Sequence, residues 1–194
     1  MTKTTINQIY EASREYVSEG VSVVPVKGKR PEFNWTEYRG RLPTEEELAS
    51  WFNVANPPNI ALVNGYISGV WSVDCDDAKT IDWLMSLIQG PLETVGIAET
   101  LRGQHFFFRL SEDDAYNVGK RFIPRAKGLN LDIRCSGSLT VLPPSVHPEG
   151  HVYKWLNKLP FNEMAEASPW VVLDQLKDAI LKLLNNQAAT YGES

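Results

Sequence analysis

Short apolar runs separated by polar segments and turn residues dominate the chain. Helices are predicted from apolar spacing, capping signals and stop residues over 5–19, 44–52, 79–88 and 171–184. Thr44 opens the second of these, with Glu47 completing a capping box. Strands are predicted at 21–26, 59–63, 70–73, 129–133, 138–142 and 151–155, with one more inside 98–110. Many short strands with few helices favour the α+β fold class over a doubly wound parallel sheet.

Composition narrows the class of protein without defining its chemistry. Of the 194 residues, 43% are hydrophobic and 22% are charged, which is ordinary for a globular protein. No stretch approaches the roughly 20 apolar residues that cross a bilayer, and the first residues lack the apolar core of a signal peptide. We therefore expect a cytoplasmic protein with no membrane partner.

Charge and cysteine content bear on the kind of ligand. The formal net charge of −5 argues against a surface coated with basic residues, although a local basic patch can still bind nucleic acid. Two segments, 27–41 and 120–134, are locally basic. The only cysteines, Cys75 and Cys135, are too few for a four-thiolate zinc site, so no zinc is expected. Alternation predicts that both are buried free thiols, facing away from the neighbouring carboxylates.

Asp74 and Asp76 directly follow the apolar run at 70–73. Residues two apart on a strand face the same side, so both carboxylates would point to one place. Adjacent anionic groups repel unless a cation compensates, and Mg²⁺ and Mn²⁺ prefer oxygen ligands. The alternative is an exposed strand end, with Asp76 or Asp77 capping the helix at 79–88.

Two further segments carry polar groups within apolar strands. Arg102, Gly103 and His105 precede three phenylalanines, and an arginine or imidazole at this place can contact phosphate. Asp132 lies between two aliphatic residues, with Arg134 on the same face. Ordinary structural roles remain open: His105 as a core or surface histidine, and Asp132 with Arg134 as an ion pair.

The order of these segments, Asp-x-Asp, then Gly-x-His, then an aspartate in an apolar strand, resembles the three motifs of archaeo-eukaryotic primases. Within that group, the chain resembles the bifunctional DNA primase/polymerase (prim-pol) family. The chain is similar to that family also at residues 23–31, 41–44, 51–52, 59–65 and 143–150, and at Tyr153 and Trp155. The resemblance covers about residues 10–156.

This resemblance implies a small α/β lobe packed on an RRM-like lobe, with the active site in the cleft. Residues 1–170 would form the catalytic domain, and 171–194 a C-terminal helix and loose tail connecting to a further module. The implied reaction is two-metal, template-directed nucleotidyl transfer, with primer synthesis and primer extension on single-stranded DNA. Asp74, Asp76 and Asp132 would bind Mg²⁺ or Mn²⁺.

The resemblance also implies a set of nucleotide contacts. His105 would contact the triphosphate as a catalytic residue, and Arg134 would meet phosphate or template. The remaining positions that match nucleotide-binding segments are Arg102, Gln104, Ser145 and His147. Implied partners are single-stranded DNA, nucleoside triphosphates and a helicase or other replication module, although the chain has no Gly-x-x-x-x-Gly-Lys-Ser/Thr motif.

Two other functions use the same residues. A metal-dependent nuclease could employ three carboxylates and a histidine, and it would shorten DNA without needing triphosphates. A non-catalytic nucleotide- or DNA-binding module on a primase fold would bind triphosphates without turnover.

Overall fold

The computed structural model describes residues 3–88, 90–117, 121–122, 128–172 and 174–175. Most of the helix predicted at 171–184, and the tail after it, lie outside the described residues. The described helices are α1 (Lys3–Ser18), α2 (Glu45–Phe52), α3 (Ala78–Leu87) and α4 (Glu112–Asn117). No helix within these ranges is long and apolar enough to cross a membrane.

Two antiparallel sheets form the framework. The strands are β1 (Val23–Val26), β2 (Asn59–Val63), β3 (Val70–Cys75), β4 (Gly96–Glu99), β5 (Gln104–Arg109), β6 (Arg121–Phe122), β7 (Leu131–Arg134), β8 (Leu139–Leu142) and β9 (Lys154–Asn157). One sheet has the order β1-β2-β8, and the other has the order β6-β7-β3-β5-β4-β9. The α+β fold class is confirmed.

Each sheet has a helical layer. On the three-stranded sheet, α1 and α2 bury Tyr16 and Phe52 against Ile60 and Leu62 of β2. On the six-stranded sheet, α3 places Leu84 in a second core; that core also contains Trp71, Val73, Phe106, Phe108, Ile133 and both cysteines. The other face of the six-stranded sheet turns toward β8, where Ser72 Oγ lies 2.6 Å from Thr140 Oγ1.

The central strand β3 is buried along its whole length. Its odd-numbered residues face the core under α3, and Ser72 and Asp74 face β8. Both cysteines are buried and free, as predicted, and burial raises the pKa of each thiol, that of Cys135 to about 12. The cysteines are therefore packing residues.

Several predicted boundaries differ from the structure. The strand predicted inside 98–110 is a hairpin of β4 and β5, whose turn is closed when Thr100 N–H donates to Gly103 O at 3.0 Å. The strand predicted at 151–155 begins only at Lys154. The polar segment after Glu112 contains α4, which has no apolar periodicity to reveal it.

The predicted capping box of α2 is present. Thr44 Oγ1 accepts from Glu47 N–H at 3.2 Å, and Glu47 Oε2 accepts from Thr44 N–H at 2.8 Å. Arg41 donates to both carboxylate oxygens of Glu47, at 2.8 and 2.7 Å. These bonds from Arg41, together with the cap, hold the pKa of Glu47 at about 2, below its ordinary 4.5.

This pKa predicts the pH dependence of Glu47→Gln. A carboxyl whose pKa is depressed by folding stabilises the protein above the unfolded pKa, and this contribution is lost as the pH falls through the folded value. We expect Glu47→Gln to lower the free energy of unfolding by about 1 kcal/mol near neutral pH, and by less near pH 3. Urea unfolding at both pH values measures this, with the exposed Glu46→Gln as control. An equal effect of Glu47→Gln at the two pH values would contradict the prediction.

Candidate functional site

The candidate site lies on three adjacent strands at the centre of the six-stranded sheet. Strand β3 pairs with β5 on one side and β7 on the other, and both pairs are antiparallel. The register sets Asp74 opposite His105 on β5 and opposite Asp132 on β7. Residues directly opposite each other share a face of the sheet, so the three side chains project to the same side. The strand adjacency that the predicted site requires is present.

All three of these polar side chains are buried. Asp74 is 7% exposed, His105 3% and Asp132 8%. Two opposed carboxylates at such depth are destabilising unless positive charge lies close to them. The structure supplies that charge from Arg134, and it places the imidazole of His105 against Asp74.

Arg134 binds both carboxylates. Its Nη2 donates to Asp74 Oδ2 at 2.7 Å, and its Nε donates to Asp132 Oδ2 at 3.2 Å. The ion pair considered for Asp132 and Arg134 therefore exists, and it extends to Asp74. Burial alone would raise the pKa of Asp74, but the charges of His105, Arg134 and Lys29 outweigh it and lower that pKa to about 2. Asp74 is ionised at neutral pH.

His105 is oriented by a backbone carbonyl of the other sheet. Its Nδ1 lies 3.2 Å from Val141 O. A carbonyl can only accept, so Nδ1 donates in this contact, and Nε2 faces Asp74, 3.3 Å from Oδ1. The contact with Val141 O therefore sets the ring orientation that directs Nε2 at the carboxylate.

The edge of β8 holds the side chains of both His105 and Arg134. Within its sheet β8 pairs with β2, so alternate carbonyls of this edge strand point away from β2. Val141 O accepts from His105, and Leu139 O accepts from Arg134 Nη1 at 2.7 Å. The contact between the two sheets therefore positions the site.

Asp76 lies just beyond the end of β3 and is exposed. Its N–H donates to Asn130 O at 3.0 Å, which continues the pairing with the chain before β7. Partial burial and the nearby Asp74 charge raise the pKa of Asp76. Asp77 takes the structural role that the sequence left open, because its Oδ1 accepts from Thr80 N–H at 2.8 Å and caps α3.

A basic cleft of about 490 Å³ opens beside Asp76. Its lining residues are Lys27, Gly28, Lys29, Arg30, Asp76, Thr100, Leu101, Arg102, His147 and Pro148. Two predicted nucleotide contacts, Arg102 and His147, meet here. The Arg102 side chain is 72% exposed and lies 3.6 Å from Glu149, so it is available to an anionic ligand.

Two other predicted contacts lie elsewhere. Gln104 precedes His105 on β5 and therefore faces the opposite side of the sheet, in a pocket with Met85 and Leu156. Ser145 is fully buried, and its Oγ accepts from Ile60 N–H at 2.9 Å. Ser145 therefore anchors the segment before His147 to β2. Gln104 lies away from the cleft.

The donor chemistry at the site fits a hard divalent cation. Asp74, Asp76 and Asp132 offer carboxylate oxygens on neighbouring strands, and Asp74 is ionised. Among the described residues, however, no group of three or more histidine, cysteine, aspartate or glutamate side chains is placed to hold a metal. Arg134 contacts Oδ2 of both buried aspartates, so the carboxylates are partly occupied by protein.

Some residues at the site were not predicted from the sequence. Lys29 helps to lower the pKa of Asp74, and the sequence signals for it were its place in a basic segment and in the family-like stretch 23–31. The ring of Tyr153 lies 5.8 Å from that of His105. No sequence signal identifies the carbonyls of Leu139 and Val141, because every residue has one.

The fold and site define an α+β protein with two carboxylates and a histidine at the centre of one sheet, beside a basic cleft. The family model described as bifunctional DNA primase/polymerase, N-terminal, matches residues 13–170. The chain therefore belongs to this family, which is associated with nucleotidyl transfer of the primase/polymerase type. A comparison with curated proteins finds no match.

Proposed function

We propose that this chain is the catalytic core of a DNA-dependent primase-polymerase. It would synthesise and extend primers on single-stranded DNA by template-directed nucleotidyl transfer. The observation that carries the proposal is the register of β3, which sets Asp74 directly between His105 and Asp132 in a chain of this family. The fold would be the primase fold, with the three-stranded sheet in the small lobe and the six-stranded sheet in the RRM-like lobe.

Asp74, Asp76 and Asp132 would hold Mg²⁺ or Mn²⁺. Divalent ions bound there would supply charge that lowers the pKa of the attacking 3′-hydroxyl and stabilises the leaving pyrophosphate. Burial and the Asp74 charge raise the pKa of Asp76, so a cation bound there would relieve the repulsion between these two carboxylates.

The protein's own cations would bind the triphosphate. Arg102 and His147 line the cleft with Lys27, Lys29 and Arg30, so a polyanion entering beside Asp76 meets several donors. His105 would act beside the triphosphate through Asp74, because its Nδ1 is bonded to Val141 O and its Nε2 lies 3.3 Å from Asp74 Oδ1. These side chains would orient the substrate without taking part in covalent bonds.

A single-stranded DNA template and nucleoside triphosphates would be the partners, with a helicase or other replication module acting alongside. The acidic net charge favours a partner module that also binds the DNA, because a chain of charge −5 gains little affinity from phosphate contacts outside its basic cleft.

Analysis of the reaction products tests the proposal against its alternatives. With labelled primer, template, triphosphates and Mn²⁺, we expect products longer than the primer, and none when triphosphates are omitted. Shortened DNA without triphosphates would indicate a nuclease. Triphosphate binding without any product would indicate a non-catalytic module.

A further inference from the structure

Arg134 lies between two buried carboxylates of the candidate site that would otherwise repel each other. Asp74 and Asp132 are directly opposite on neighbouring strands, and their side chains are 9% and 12% exposed. Like charges in opposed positions destabilise a sheet, and burial increases the cost. One partly buried cation, Arg134, contacts both carboxylates and offsets this repulsion.

The register explains how one side chain reaches both aspartates. Arg134 follows Asp132 by two residues, so the two share a face of β7. It lies opposite Ser72 and diagonal to Asp74 on β3, within reach of a long side chain. The small Ser72 side chain is turned toward Thr140, at 2.6 Å between hydroxyl oxygens.

The guanidinium is fixed on three sides. Nη2 contacts Asp74, Nε contacts Asp132 and Nη1 contacts Leu139 O, so three different nitrogens serve three acceptors. The side chain is 17% exposed. A planar group held in this way keeps both Oδ2 atoms in a defined orientation, and it occupies atoms that a metal ion would need.

We propose that Arg134 is a positioning residue that acts as a resident counter-ion. It holds the two buried carboxylates in place in the metal-free protein, and it competes with the divalent cation for their Oδ2 atoms. Loading of the metal then requires Arg134 to withdraw from Asp74 and Asp132. This inference rests on the proposed metal site of the primase-polymerase.

The test measures metal binding rather than activity. The Kd for Mn²⁺, without nucleotide, is measured for the whole chain by electron paramagnetic resonance of free Mn²⁺. Arg134→Gln is compared with wild type and with Arg109→Gln, a control on β5 that removes a half-exposed ion pair with Glu166. We expect Arg134→Gln to bind Mn²⁺ about fivefold to tenfold more tightly than wild type, and Arg109→Gln to bind as wild type does.

A second readout follows the melting temperature. Without metal, Arg134→Gln should melt below wild type, because the carboxylates then repel each other. Mn²⁺ should raise its melting temperature by more than that of wild type.

The outcomes separate this inference from the proposed function. Wild type that binds Mn²⁺ while folded Arg134→Gln binds it equally or more weakly would overturn the role of Arg134 alone. Absence of Mn²⁺ binding by both proteins would overturn the metal site itself, and this inference with it.

A measurement on wild type covers the case in which Arg134→Gln does not fold. Arginine Nε–H signals of ¹⁵N-labelled protein are followed during a Mg²⁺ titration. We expect the Arg134 signal to shift as its bond to Asp132 is released. An Arg134 signal that stays unchanged while backbone signals of Asp74 and Asp132 saturate would contradict the proposal.

Discussion

Primer extension by Asp74→Asn is expected to fall by about 10³-fold relative to wild type. Asp74 is the central group of the site, because the register sets it opposite both His105 and Asp132. Asparagine keeps the shape of the side chain but removes the charge that a divalent cation requires. The measurement is the initial rate of nucleotide incorporation with Mg²⁺ and with Mn²⁺.

The control for Asp74→Asn is Asp82→Asn, which removes a carboxylate from an exposed position of α3. We expect it to retain the wild-type rate. Circular dichroism and melting curves show that both variants are folded. If folded Asp74→Asn extends primers as well as Asp82→Asn does, the assignment of Asp74 to the reaction is wrong.

The largest effect on stability is expected from Gly103→Ala. A Cβ at this position would lie 1.8 Å from the carbonyl oxygen of Cys75 and 3.1 Å from the Cα of Asp76. Both are backbone atoms of the chain segment that carries the candidate site, so relief requires β3 and β5 to separate. We expect the free energy of unfolding to fall by about 3 kcal/mol, as measured by urea denaturation.

Gly40→Ala is the matched control for Gly103→Ala. Its Cβ would meet no atom closer than 3.8 Å, and its backbone has ordinary dihedral angles. We expect a change within about 0.5 kcal/mol. Equal effects of the two substitutions would contradict the close approach of the two strands at Gly103.

The local pattern of apolar, polar and capping residues was sufficient to predict many of the helices and strands. Alternation predicted that Cys75 and Cys135 lie in the core away from the carboxylates, and the capping box predicted the start of α2. The order of strands was beyond such reasoning, because any antiparallel arrangement satisfies the same alternation. That Asp74, His105 and Asp132 meet depends on β3 pairing with both β5 and β7.

Gln104 and Ser145 show that a resemblance names residues without giving their positions in the fold. Alternation alone would have placed Gln104 on the face opposite His105, where the structure has it. The assignment of Ser145 could not be checked in this way, because its partner is Ile60, far away in the sequence. Hydrogen bonds between distant segments follow from tertiary packing and leave no local pattern.

The most direct test of the proposed function is primer-independent synthesis on single-stranded homopolymer templates. The wild-type chain is incubated with Mn²⁺ and labelled triphosphates, as ribonucleotides and as deoxyribonucleotides, and Asp74→Asn is the control. We predict labelled oligonucleotides only when the triphosphate is complementary to the template, and none with Asp74→Asn. Products that form without regard to the template, or equally with Asp74→Asn, would contradict template-directed nucleotidyl transfer at this site.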